Sequence, residues 1–175
     1  MNMKIFSILI LAICCLGAQV PQRVMKKADK AISRYYEIEG FQKDILRISK
    51  VNNEVTSSEF GEDNFFKIMK NEEFKGYAYI GNAPSKTATF DYLVLFDKEF
   101  VVVKTKVLIY REDYGGEIGS KRWLKQFIGK REGDSVKFGQ DIVAIAGATI
   151  STASMTRSMN GLFESIKILN SKGAL

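Results

Sequence analysis

The sequence predicts an α+β fold, an antiparallel sheet packed with helices, on three observations. Three strand-type runs follow one another between Lys75 and Tyr110 with only turn-length breaks between them. Two helical patterns come after these strands, one carrying Trp123 and one closing the chain. No helix-length segment separates the strands, so a meander is expected rather than parallel crossovers.

The first residues stand apart. Lys4 precedes the apolar run "IFSILILAICCLGA", which is shorter than the roughly 20 residues needed to span a bilayer. It reads as an export signal, cut after Ala18, that places the mature protein outside the cytosol. Cys14 and Cys15 both lie inside it. A lipid anchor on a cysteine is the alternative, although Ile13 and Cys14 stand where such processing prefers a small residue. Cleavage at Ala18 leaves a chain without cysteine or histidine. That excludes disulfides, thiolate and histidine metal sites, Cys or His nucleophiles and histidine-ligated haem.

The 175 residues, 46% of them apolar, suit one globular unit. Its divisions are 1–18 (signal), 19–73 (a helix and a stretch of ambiguous pattern) and 74–175. With Lys4 removed, 25 basic residues face 20 acidic ones. The basic residues are scattered among carboxylates, as in "MKKADKAISR". Solvated faces are therefore expected and a nucleic-acid groove is not; attraction to an anionic membrane surface stays open.

Pro21 opens a helix with Val24, Ala28, Ile32 and Tyr35 on one face. In residues 40–73, "ILRISKV" suits a strand and "NFFKIM" a short helix or a buried strand. "GYAYIGNAPS" is a strand ending in a turn at Pro84, and "TATFDYLVLF" is a second. "DKE" turns into a third, "FVVVKTKVLIY", with Val101, Val103, Thr105, Val107 and Ile109 on one face and Lys104 and Lys106 on the other. Gly115 and Gly116 break the pattern. Ser120 then caps a short helix that buries Trp123, Leu124 and Phe127, and Gly129 closes it. "DIVAIAG" reads as a short apolar strand. The last helix begins near Ser151 or Thr152 and buries Met155, Met159, Leu162, Phe163, Ile166 and Leu169.

Thr149 stands on the threshold of that helix. A hydroxyl there caps free backbone N–H groups, or it anchors a phosphate that those groups and the helix dipole stabilise. Gly147 and Ala148 leave room for a bulky ligand, and Ser151, Thr152 and Ser154 supply further hydroxyls. The residues alone allow both readings. Glu112, Asp113 and Glu117, close together on a glycine-rich loop, are a weaker candidate pair of glycosidase-type carboxylates.

"GATIS" followed by a terminal amphipathic helix resembles the signature of the FMN-binding domain family. That family includes the C subunit of the sodium-pumping NADH:quinone reductase and the G subunit of the Rnf complex. The likeness spans about residues 74 to 170 through the hairpin, "YREDYGGEIG", "SKRWLKQF", an apolar strand and the GAT turn. It implies FMN held by a phosphoester to Thr149 and installed after export by a flavin transferase. It also implies that the loop bearing Glu112, Gly115 and Gly116 closes over the flavin. Lys121 would offset phosphate charge or stand solvated, and Trp123 would serve the core or stack on the ring. Two positions depart from the family pattern. Val143 stands six residues before Thr149 where the family has aspartate, with Asp141 two places upstream, and Ala146 replaces serine. The implied function is an exported electron carrier or redox-complex subunit between a membrane-bound donor and an extracytoplasmic acceptor. The alternatives are a flavin-dependent reductase of a small exported substrate and a cofactor-free binding or scaffold module.

Overall fold

The computed structural model describes residues 19–175, so the expected export signal lies outside the described residues. The fold is α+β. One antiparallel sheet runs in chain order through β1 (Gln42–Ile45), β2 (Phe65–Lys70), β3 (Glu73–Pro84), β4 (Thr89–Phe96) and β5 (Val102–Tyr110). The helices are α1 (Gln22–Tyr36), α2 (Lys50–Asn53), α3 (Lys121–Leu124) and α4 (Thr149–Ser171). The meander thus has two strands more than the three clear runs. "NFFKIM" supplies β2. "ILRISKV" gives only Ile45 to β1 and otherwise leads into α2, whose start is capped by Ser49 Oγ accepting from Asn52 N at 3.3 Å.

Both faces of the sheet are covered, because alternate residues of each strand point to opposite sides. Val24, Ala28, Ala31 and Ile32 of α1 pack on Phe66, Ile68, Ala78, Ile80, Leu93 and Leu95. On the other face, Met155, Met159, Leu162, Phe163, Ile166 and Leu169 of α4 meet Phe65, Tyr77, Tyr79, Phe90, Tyr92, Val94 and Phe96. All six of these α4 side chains are fully buried, each contributing roughly 1.5–3 kcal/mol before ordering costs. Double coverage explains why β4 is apolar almost throughout instead of alternating.

Three expectations need correction. Tyr35 is exposed at 37%, with its ring edge-on to Tyr36 and beneath the Lys104 ammonium. Periodicity gives the angle of a side chain around a helix, not whether anything covers it. In β5, Val103 and Ile109 belong with the α1 face, whereas Thr105 and Val107 face α4. The cause is a pair of register shifts, at Asp91/Tyr92 and Leu95/Phe96, each of which resets the alternation. "DIVAIAG" is not a strand. Ile142 makes an isolated bridge with Phe138, and Val143 and Ala144 are exposed. Its peptide groups are taken by side chains instead: Trp123 Nε1 donates to Val143 O at 2.7 Å, and Val143 N donates to Gln126 Oε1 at 2.9 Å.

Candidate functional site

The site begins with how α4 starts. Its first residue is Thr149, two positions earlier than the pattern suggested, and the N-cap is Ala148. No side chain caps the helix. The Ala148 carbonyl accepts from Thr152 N at 2.9 Å and from Thr152 Oγ1 at 2.9 Å. The N–H groups of Thr149, Ile150 and Ser151 find no backbone partner among the described residues, as expected for a first turn. Thr149 is exposed and its hydroxyl is not used in capping.

Two of the expected phosphate donors turn inward. Ser151 Oγ lies 3.0 Å from Tyr110 Oη, and Thr152, wholly buried, bonds back to the preceding turn. Ser154 is buried as well. Ser151 ties the helix start to β5, Thr152 bonds within the helix start, and none of the three is exposed to an incoming ligand. Tyr110 ends β5, so its bond to Ser151 ties the glycine-rich loop's root to the start of α4.

That loop meets the GAT turn through glycine. Gly115 has φ +80°, and a Cβ there would lie 2.8 Å from Ala148 Cβ and 3.0 Å from Gly147 O. Only a residue without a side chain permits both the left-handed backbone and the approach. Gly147 also has φ +79°, with open space where a Cβ would stand, and Gly116 is equally open. The structure therefore brings Gly115, Gly116, Gly147, Ala148 and Thr149 together.

It does not bring Glu112 there as a ligand group. That carboxylate accepts from Thr87 N (2.7 Å), Thr87 Oγ1 (2.7 Å) and Ala88 N (3.1 Å), closing the turn between β3 and β4. The adjacent Ser85 hydroxyl and then these donors lower its pKa from 4.5 to about 2. The Ser85 hydroxyl is itself buried without a hydrogen bond of regular geometry, so the Thr87 and Ala88 contacts are the firm ones. Trp123 is 5% exposed, edge-on to Phe127, and bonded to Val143 O. It is a core residue that holds the approach to the GAT turn. Lys121 is exposed at the start of α3, beside the Ser120 cap that accepts from Trp123 N.

Two residues near the turn escaped the sequence reading, Tyr114 and Ile150, and Val143 stood out there only as a departure from the family pattern. Tyr114, Val143 and Ile150 are large apolar side chains exposed at 83%, 63% and 51%. Tyr114 precedes the glycine that touches Ala148, Ile150 follows Thr149, and Val143 leads into the turn. Nothing in the sequence marks their exposure, because apolar character there reads as core. A cavity of about 700 Å³, lined by Tyr79, Tyr92, Arg111 and Arg157 among others, opens between α4 and the β3–β4 pair. Thr149 does not line it. Arg157 lies eight residues farther along the helix, about 12 Å at 1.5 Å per residue. The threonine opens on solvent with apolar neighbours, not on an enclosed chamber.

No family model matches the chain, and no curated protein matches it. Among solved structures, the crystal structure of NqrC from Shewanella oneidensis is similar to it, with a TM-score of 0.54 over 87% of this chain and 95% of that one. The sequences are 15% identical. At that identity the likeness is one of fold, and it covers more of the chain than residues 74–170, over which the sequence resemblance runs.

Proposed function

We propose that the chain is an exported flavoprotein that carries FMN through a phosphoester to Thr149 and serves extracytoplasmic electron transfer. The observation that carries this reading is the state of Thr149: exposed, in the first turn of a 23-residue helix, and not engaged in capping it. A phosphate on its oxygen meets the free N–H groups of that turn and the positive end of the helix dipole. The backbone around Gly147 and Gly116 is open enough to admit it. The exposed apolar side chains of Tyr114, Val143 and Ile150, each near the turn in the chain, are the groups on which a planar tricyclic ring would rest. FMN supplies reversible one- or two-electron chemistry; the chain's own residues hold it, orient it and leave an edge open to a partner. The NqrC-like fold supports the reading, since it covers most of the chain independently of the resemblance carried by the GAT turn. A flavin transferase for maturation, a membrane-bound donor and an extracytoplasmic acceptor belong to the proposal.

The test is the intact mass of protein co-expressed with a flavin transferase and its substrate. Addition of FMN less one water, absent in Thr149→Ala, supports attachment. A colourless, unmodified product that still folds overturns it and favours a cofactor-free module.

A further inference from the structure

We propose that the face made by α1 and β5 is a docking surface for anionic phospholipid. Lys27, Lys30 and Arg34 recur three and four residues apart, so they form one stripe along α1. Lys104 and Lys106 stand two apart on β5, opposite Leu95 and Leu93, and so point to the side that α1 covers. Two contacts set the stripe alongside the strand: Lys27 Nζ donates to Leu108 O at 3.1 Å, and the Lys104 ammonium lies 5.7 Å from the Tyr35 ring centre. Five cations from two elements therefore share one surface. Burial and then the charges of Arg34, Lys104, Lys27 and Lys30 push the Lys106 pKa down, as expected of uncompensated neighbours.

No carboxylate lies within 4.0 Å of any of the five among the described residues. Residues 19–175 hold 25 basic and 20 acidic side chains, so these five equal the whole excess. Charges that look scattered along the sequence are thus gathered by the fold, and the remaining basic and acidic side chains are equal in number. Such crowding costs stability unless a polyanion offsets it. A membrane is the partner that sequence position favours. The apolar run ends at Ala18, four residues before Gln22 begins α1. Until the expected cut after Ala18, that holds α1 within at most about 14 Å of extended chain of the bilayer that receives the run, so the basic face first meets a lipid surface.

The test uses the full chain and vesicles of phosphatidylcholine with or without phosphatidylglycerol, read by co-sedimentation at several salt concentrations. Any binding through the apolar run is common to all variants, so the anionic preference reads the basic face. Wild type should prefer the anionic vesicles, and the preference should fade with salt. Lys30→Glu/Arg34→Glu/Lys104→Glu should reduce that preference by about fivefold per cation lost. Lys30→Gln/Arg34→Gln repeats the test with less disturbance of the fold. Lys86→Glu/Lys137→Glu/Lys172→Glu makes the same net change at exposed positions elsewhere and should leave the preference within about twofold. Equal loss in both triple variants, or no anionic preference in wild type, overturns the proposal. So does a wild type that ignores vesicles but is retained, in a salt-sensitive way, by an acidic protein.

Discussion

Gly115 and Ala148 touch so closely that a methyl group on the first would stand 2.8 Å from the Cβ of the second. This contact joins the glycine-rich loop to the start of α4. Gly115→Ala combines a left-handed backbone with that overlap and should destabilise the fold by roughly 2–4 kcal/mol. Urea unfolding of the cofactor-free protein is the measurement. An unchanged midpoint would show that the loop does not rest on the GAT turn in solution.

Thr149 and Ser120 are both hydroxyl residues at helix starts, yet only Ser120 caps one. Ser120→Ala should cost about 1 kcal/mol. Thr149→Ala should change the stability of cofactor-free protein by less than about 0.5 kcal/mol while abolishing flavin attachment. A capping-sized loss at Thr149 would return that side chain to an ordinary structural role.

Glu112 is held well below its usual range, to about 2, by the Ser85 hydroxyl and the Thr87 and Ala88 donors. Its folded pKa is depressed, so it contributes stability above the unfolded value near 4.5 that fades as pH falls toward 2. Glu112→Gln should therefore be less stable than wild type at neutral pH. The gap should close between about pH 4.5 and 2. Parallel thermal unfolding curves across that range check the sign, and a gap that widens on acidification rules this account out.

Trp123 reaches Val143 O at 2.7 Å, while Gln126 holds Val143 N. Trp123→Phe removes one of the two ties and some buried area. It should cost about 1–2 kcal/mol, and amide exchange should quicken selectively over residues 143–148. Uniform exchange rates across the variant would mean that the indole serves the core alone.

Much of this architecture was legible because one helix face or one strand edge decides it. The α4 stripe, the Ser120 cap and the three clear strands depend on spacing within one element, and they stand where spacing puts them. β2 was ambiguous because a strand covered on both faces loses the alternation that would announce it. Val143 misled for a related reason, since an apolar residue in a loop has the same chemistry as one in a core.

The sequence by itself determined the α+β class, the buried side of the last helix, the absence of Cys and His after Ala18, and the placing of a threonine near a helix start. Tertiary structure decided that this threonine stands in the first turn and exposed, because the Ser151–Tyr110 bond pins the start of α4 to β5. It alone set Gly115 against Ala148 and assembled five cations from α1 and β5, since both are contacts between elements far apart in the chain. Periodicity orders residues around one axis; only packing brings two axes together.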